Sequence, residues 1–106
     1  MVENLTLSQK LDLLLRTVMQ PNGKRFTYED IHKKTGIRLS TISRIRSGEN
    51  ADPQFRTITA LAPAFGVRLG FFSTDMTLAE AESYLADPRN TEFLDDMRHR
   101  QHSGEN

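Results

Sequence analysis

The chain has 106 residues, of which 37% are hydrophobic and 26% are charged, and it contains no cysteine. This length suits one compact domain with a modest core, and the lack of cysteine excludes a disulfide framework or a thiolate metal site. No run of about twenty apolar residues occurs, which excludes a helical membrane span, and the N-terminus MVENLTLSQK does not have the pattern of a secretory signal. We therefore expect a soluble, cytoplasmic protein.

The formal net charge is zero, but the charges are unevenly distributed along the chain. Residues 1–68 carry 11 Lys/Arg and 6 Asp/Glu (11 − 6 = +5), whereas residues 69–106 carry 3 and 8 (3 − 8 = −5). A basic front and an acidic back indicate a nucleic-acid surface on one part of the chain only. Two solvated surfaces that merely differ would give the same split, so charge alone does not decide between them.

The first predicted helix begins at Thr6, because Thr6 and Gln9 have the spacing of a capping box, in which each side chain satisfies a free amide of the other residue. Apolar residues then recur at helical spacing, which predicts one buried face. They are Leu7, Leu11, Leu14, Leu15 and Val18. The Pro-Asn-Gly sequence at residues 21–23 ends this helix.

Two short helices follow, joined by a glycine turn. The first starts with the pair Thr27 and Asp30 and ends near residue 35, where Gly36 supplies the left-handed backbone that a tight turn needs. The second is predicted over residues 39–47 and ends at Gly48. Its inner face is formed by residues three apart, which are Leu39, Ile42 and Ile45.

A fourth helix is predicted from Asp52, as its cap, with Pro53 as the first helical residue. Its buried residues are predicted to be Ile58, Leu61, Ala62 and Phe65. After the apolar link VRLGFF, Thr77 and Glu80 form another capping box. The helix that follows carries Leu78, Ala81 and Leu85 on one side.

A last helix is predicted from Asp87-Pro88, with Phe93, Leu94 and Met97 on one side and a frayed polar tail after it. Convincing strand alternation is absent. We therefore expect an all-α protein of about six helices. Residues 1–72 would form a bundle of four to five helices, and residues 73–106 a C-terminal helical extension.

The third helix has the composition of a DNA-recognition helix. Two short helices joined by a turn with Gly are typical of a helix-turn-helix, in which the second helix lays its N-terminal residues in the major groove. Its outer face carries Ser40, Thr41, Ser43, Arg44 and Arg46. Arginine can bind guanine through two acceptors, and serine or threonine can bind bases or phosphates. No acidic residue occurs between Asp30 and Glu49, which favours this interpretation over an ordinary surface helix.

The chain resembles the Cro/CI-type (XRE) helix-turn-helix family in the segment TYEDIHKKTGIRLSTISRIRSGENADPQFRTITALAPAFGV, which contains the glycine turn, Ser-Thr-Ile at the head of helix three, and the fourth helix. The string ISRIRSGENADP, with the C-terminal extension, is further similar to the EspR-like regulators of actinobacteria. The family implies a Cro/CI (lambda repressor)-like fold, with Leu39, Ser40, Thr41 and Arg44 at the groove. It also implies that Tyr28 lies near a phosphate, and that Glu49 and Asn50 approach the DNA backbone.

The sequence departs from the family pattern at four residues. His32 stands where the family usually has alanine, so the two helices of the motif are expected to sit slightly apart. Arg46 and Ser47 replace the commoner Glu-Asn, which removes a negative charge and could add a phosphate contact. Leu39 stands where a polar base-reading residue is common, and it either touches a thymine methyl group or belongs to the core.

These observations give two predicted sets of DNA contacts. The residues predicted to contact bases are Leu39, Ser40, Thr41, Ser43 and Arg44. Those predicted to contact phosphates are Lys24, Arg25, Tyr28, Lys33, Lys34, Arg38, Arg46 and Asn50. Arg56 and Arg68 are interpreted as solvated, because exposed arginines are common.

No cofactor, metal or enzymatic activity is expected. His99 and His102 are three residues apart, but no cysteine or clear third ligand accompanies them. Asp95 and Asp96 are adjacent and therefore point apart on a helix. No glycine-rich phosphate loop and no nucleophile–base pair at a familiar spacing occurs.

The C-terminal part is rich in apolar residues, which either fold back on the core or form a two-fold interface. We favour the homodimer, because one recognition helix reads only a few base pairs and regulators of this kind pair half-sites. The predicted interface residues are Phe71, Phe72, Leu78, Tyr84, Leu85, Phe93 and Met97.

Double-stranded DNA and a second copy of the chain are therefore the expected partners, and the expected function is that of a nucleoid-associated, sequence-preferring transcriptional regulator. The alternative is an antitoxin or a protein-interaction adaptor on the same fold, with a protein partner at the acidic C-terminal helices.

Overall fold

The computed structural model describes residues 3–90 of the chain, and this part is helical. Its helices are α1 (Leu7–Thr17), α2 (Tyr28–Thr35), α3 (Leu39–Ser47), α4 (Phe55–Ala64), α5 (Gly70–Ser73) and α6 (Leu78–Ala86). The only extended pairing among these residues consists of isolated bridges, Asn4 with Thr77 and Met19 with Arg25. The all-α prediction is confirmed.

Three of the helices begin at threonine capping boxes, as the sequence predicts. In each box the threonine hydroxyl accepts a hydrogen bond from a backbone amide three residues on, and the side chain of that residue accepts one from the threonine amide. The pairs are Thr6 with Gln9, Thr27 with Asp30, and Thr77 with Glu80. The predicted third helix has the same bounds as α3.

The start of α4 was predicted two residues too early. Its N-cap is Gln54 and its first residue is Phe55, whereas the sequence suggested Asp52 and Pro53. The amide of Asp52 instead donates to the side-chain oxygen of Asn50 at 3.3 Å. This bond of the Asx-turn type holds the segment in a loop, so the helix starts only after it.

The apolar link at residues 67–72 contains a short helix that the sequence did not predict. In α5 the amides of Phe72 and Ser73 donate to the carbonyl of Leu69 at 2.9 and 3.1 Å. Residues 87–90 then form a turn after α6. The predicted last helix, with Phe93, Leu94 and Met97, lies outside the described residues apart from its first positions.

The core lies between α1 and the two helices of the glycine-turn motif. α1 packs against α3, and α2 packs against both α3 and α4. The largest fully buried side chains are Phe65, Phe71, Leu11, Leu14, Ile31, Ile42, Ile45, Leu61 and Val67. The rings of Phe26 and Phe65 meet edge to face, with centroids 4.9 Å apart, an arrangement that aromatic pairs favour.

A buried lysine joins α1 to the segment after α4. The Lys10 side chain is only 4% exposed, and its Nζ donates to the carbonyl oxygens of Phe72 at 3.2 Å and Thr74 at 2.7 Å. Burial lowers the pKa of Lys10, and the charge of Asp75 opposes that shift. A buried ammonium is costly unless it is hydrogen-bonded. The two carbonyls must therefore stay close to Lys10, and this holds the chain at the end of α5 against α1.

Phe71 differs from its predicted role as an interface residue. Its side chain is fully buried within the chain, where its ring centroid lies 5.7 Å from that of Tyr84 in α6. Phe71 lies in α5 with its ring in the core, so it has no exposed surface that a second copy could contact. For this residue the fold-back alternative describes the structure.

Candidate nucleic-acid interface

The turn between α2 and α3 is held by several local hydrogen bonds. Gly36 has φ of +76° and donates from its amide to the carbonyl of His32 at 2.7 Å. Thr35 Oγ1 donates to the carbonyl of Ile31 at 2.7 Å and accepts from the amide of Ile37 at 3.1 Å. These bonds fix the angle at which α3 leaves α2.

His32 has a specific contact in this turn. Its Nδ1 lies 2.8 Å from the carbonyl oxygen of Ile37, a distance at which a protonated ring nitrogen donates a hydrogen bond. The sequence marked His32 only as a departure from the family pattern. In the structure its ring bridges α2 to the residue that follows Gly36, a contact that an alanine side chain could not make.

The two faces of α3 have different environments. Ile42 and Ile45 are fully buried against the core, as the sequence predicts for its inner face. Leu39 is 43% exposed and does not join them, because the first turn of α3 extends past the core and leaves residues 38–40 exposed. Leu39 is therefore not part of the core, and its side chain is exposed, as contact with a thymine methyl group would require.

Most of the predicted base-contact residues form one exposed stripe on α3. Ser40, Ser43 and Arg44 are exposed, and their spacing of three and four residues places them on the same side of the helix. Thr41 is half-buried and lines a groove beside the helix. The stripe combines a forked arginine with two short hydroxyl side chains, which suits contact with base edges.

Several of the residues predicted to contact phosphates are exposed cations in α2 or in the loops before α2 and α3. Lys24, Arg25, Lys33, Lys34 and Arg38 are all exposed. Lys34 Nζ also lies 4.9 Å from the centre of the Phe26 ring, a cation–π distance.

Asn50 is placed differently from these cations. It is half-buried, and its amide donates to the carbonyl of Arg44 at 3.0 Å while its side-chain oxygen accepts from Asp52. The structure therefore uses Asn50 to shape the loop after α3.

Arg46 and Tyr28 are held by groups inside the protein. Arg46 donates to Asp12 Oδ1 from Nε at 3.1 Å and from Nη2 at 2.8 Å, and its Nη1 donates to the Tyr28 hydroxyl at 3.2 Å. The Ser8 hydroxyl of α1 donates to the Arg46 carbonyl. Arg46 thereby ties α3 to both α1 and α2.

Asp12 is the anion at the centre of this arrangement. Its second oxygen accepts from Arg16 Nε at 2.7 Å. The hydrogen bond from Arg46, and to a smaller extent that from Arg16, holds the pKa of Asp12 below its usual value. The hydrogen bond to Tyr28, and next in size that to Asp12, raises the pKa of Arg46. The sequence could not reveal this pairing, because Asp12 and Arg46 are 34 positions apart on different helices.

A basic groove of about 560 Å³ lies between the α2–α3 turn and α4. Its lining residues are Thr35, Gly36, Ile37, Arg38, Thr41, Arg56, Thr57 and Ala60. None of these described residues is acidic. Arg56, which was interpreted from the sequence as solvated, is exposed and lines the same groove as Arg38, and no sequence signal places α4 beside the turn.

The helix N-termini near this groove lack side-chain caps. α3 begins after Arg38 and α4 after Gln54, and neither residue makes a side-chain cap hydrogen bond. By contrast, α1, α2 and α6 all have capping boxes. Free amides at a helix N-terminus, together with the helix dipole, favour anions. Both uncapped ends lie beside basic residues.

A helix-turn-helix with an exposed serine and arginine stripe, set among cations and uncapped helix ends, defines a DNA-binding protein of the helix-turn-helix class. The chain belongs to the Cro/C1-type HTH DNA-binding domain family, whose sequence model matches residues 15–70. This confirms the family that the helix order and the turn predicted. Comparisons with curated proteins and with solved structures find no match, so the EspR-like resemblance stays a prediction.

The remaining predicted residues are at the C-terminal end. Leu78 is exposed, whereas Phe72, Tyr84 and Leu85 are half-buried and pack against the core. Phe93 and Met97, like His99, His102, Asp95 and Asp96, lie outside the described residues. Among residues 3–90, no helix has the length and apolar character needed to cross a bilayer.

Proposed function

We propose that the protein is a transcriptional regulator that binds preferred sequences in double-stranded DNA, with α3 in the major groove. The observation that carries this proposal is the stripe of Ser40, Ser43 and Arg44, exposed on the second helix of a helix-turn-helix. Arg44 binds guanine, and the two serines with Thr41 and Leu39 contact neighbouring bases or a thymine methyl group. These contacts supply sequence preference.

The cations around α3 supply affinity without sequence preference. Lys33, Lys34 and Arg38 are exposed within the helix-turn-helix, and we add Arg56, because it is exposed and lines the basic groove together with Arg38. Lys24 and Arg25 act from the loop before α2. Arg46 and Tyr28, whose side chains bond to each other and to Asp12, position α3 in this proposal, and they are not assigned to phosphates.

The regulator acts as a homodimer on DNA in the cytoplasm. Two recognition helices reading two half-sites give a longer and more selective site than one helix can. In the described part of the chain, the face that remains for a second copy includes exposed Leu78 and half-buried Tyr84 and Leu85 of α6. An antitoxin would instead place a basic toxin against the acidic residues of this segment.

The DNA-binding part of the proposal is tested by fluorescence anisotropy on random duplex DNA at about 50 and 200 mM salt. Phosphate contacts by the six assigned cations give a slope of about −5.4 in log affinity against log salt, which is a loss of roughly 1,800-fold over that range. Lys33→Gln/Lys34→Gln should reduce the slope to about −3.6, a loss of roughly 150-fold. Arg89→Gln, outside the motif, is the control with the same kind of charge change.

The base-reading part needs a preferred site, selected from a randomised duplex pool. Arg44→Ala should cost roughly 1–3 kcal/mol at that site and relax the sequence preference. An equal loss on preferred and random DNA would refute the base-reading role. An interaction-only adaptor would show no salt-sensitive DNA affinity at all.

Sedimentation equilibrium of the free protein distinguishes a C-terminal segment that forms a homodimer from one that binds a toxin. Self-association at micromolar or lower concentration supports the homodimer. A chain that stays monomeric but binds DNA contradicts the dimer and favours the antitoxin alternative.

A further inference from the structure

Glu49 is a carboxylate on the surface that we assign to DNA. It is the first acidic residue after Asp30 in the sequence, and its Oε2 lies 4.0 Å from Nε of Arg44. The two side chains are 73% and 60% exposed, respectively. Since phosphates repel a carboxylate, an acidic residue beside the proposed base-reading arginine needs a reason.

The loop after α3 fixes Glu49 next to Arg44 through the backbone. Gly48, with φ of +86°, ends α3 and reverses the chain. The Ser47 hydroxyl donates to the carbonyl of Arg44 at 3.1 Å and accepts from the amide of Glu49 at 3.3 Å. The amide of Asn50 donates to the same Arg44 carbonyl at 3.0 Å. The position of Glu49 therefore does not depend on the ion pair alone.

The carboxylate approaches one particular edge of the guanidinium. Arginine has five N–H donors, one on Nε and four on the two terminal nitrogens. Because Glu49 lies on the Nε side, the two terminal nitrogens stay available, and they can donate to O6 and N7 of one guanine. A charged neighbour on the Nε side also restricts the orientations that an exposed arginine would otherwise sample.

We propose that Glu49 is a specificity-determining residue, which orients Arg44 to donate to guanine and so favours sites that offer a guanine there. This inference rests on the proposed function of α3. On the preferred site, the bidentate contact offsets the cost of bringing a carboxylate near the backbone. The repulsion acts on random DNA as well and cancels in the ratio of preferred to random affinity, so the orientation of Arg44 is the effect that widens this ratio.

Asp52 provides a matched control in the same loop. It is exposed, and among the described residues it forms no ion pair. Asp52→Asn removes the same charge as Glu49→Gln, at a distance of three positions. If charge alone matters, the two substitutions raise affinity for all duplexes by a similar factor and leave the ratio unchanged.

The test measures that ratio by anisotropy on the selected site and on random duplex, at one fixed salt concentration. Glu49→Gln should narrow the ratio by roughly three- to tenfold, less than the loss caused by removing the arginine. Asp52→Asn should leave it unchanged. In an Arg44→Lys background, which has no Nε and no fork, Glu49→Gln should no longer change the preference for guanine.

Two results would overturn the inference. One is an equal effect of Glu49→Gln and Asp52→Asn on the ratio. The other is the same narrowing by Glu49→Gln whether residue 44 is arginine or lysine. A wild-type protein with no salt-sensitive DNA binding is a different outcome, visible before any variant is compared, and it would reject the proposed function and this inference together.

Discussion

Arg46 offers the sharpest distinction between a residue that builds the DNA-binding surface and one that touches DNA. Arg46→Gln removes two hydrogen bonds to Asp12 and one to Tyr28. Hydrogen bonds to charged groups contribute about 1.5–3 kcal/mol when buried, but the Arg46 and Asp12 side chains are 37% and 35% exposed. Exposed ion pairs contribute only about 0–1 kcal/mol. Between these two limits, we expect Arg46→Gln to lower the free energy of unfolding by about 1–2 kcal/mol.

The same substitution should have little effect on the salt dependence of DNA binding. Neutralising one phosphate contributes about 0.9 to the slope of log affinity against log salt. Because the Arg46 guanidinium is occupied by Asp12 and Tyr28, Arg46→Gln should change the slope by clearly less than that. Arg38→Gln is the matched comparison, since Arg38 is exposed beside the basic groove, and it should reduce the slope by about 0.9.

Urea unfolding measures the first quantity, and anisotropy over a series of salt concentrations measures the second. An Arg46→Gln protein with an unchanged free energy of unfolding and a salt slope smaller in magnitude by about 0.9 would contradict both expectations. That result would mean that Arg46 leaves Asp12 to reach a phosphate, as the sequence alone suggested.

Two further predictions concern the turn and the pH dependence of stability. Gly36→Ala should destabilise the fold by about 1–2 kcal/mol through backbone strain alone, because φ is +76° and an added Cβ would meet no atom within 4 Å. Gly36→Asn should cost less, since asparagine tolerates this conformation, and equal losses in urea unfolding would contradict that cause. In the folded protein the pKa of Asp12 lies below its unfolded value of about 3.9. The ionised carboxylate therefore stabilises the fold at pH values above the unfolded pKa, and this contribution is lost as the pH falls through the lower folded pKa. Asp12→Asn should therefore lose less stability than wild type between pH 6 and acid conditions; parallel curves would exclude a role for Asp12.

The parts of the fold that the sequence predicts well are those set by local chemistry. The capping pairs at Thr6, Thr27 and Thr77 all form, because each needs only residues three positions apart. The bounds of α3 were also correct, since Gly36 and Gly48 both adopt the left-handed conformation that ends a helix. Helix order and the family followed from these features.

The parts that the sequence missed depend on contacts between distant segments. Packing produces the pairing of Asp12 with Arg46, the burial of Phe71 against Tyr84 of α6, and the groove that Arg56 lines together with Arg38. No spacing rule connects residues on different helices. The Asp52-Pro53 pair shows a second limit of sequence patterns. It has the sequence of a helix start, but the Asp52 amide donates to the side chain of Asn50, and the residue belongs to the loop before α4.

Lys10 connects two parts of the chain that lie on either side of the segment matched by the family model. The family model matches residues 15–70, yet the Lys10 ammonium is satisfied by carbonyls of residues 72 and 74. A chain shortened to the matched segment would lose the lysine, most of α1 and all of α5 except Gly70. A chain ending at residue 70 would keep the lysine but leave its charge without these acceptors. We therefore expect the part of the protein that unfolds cooperatively to include residues on both sides of the matched segment.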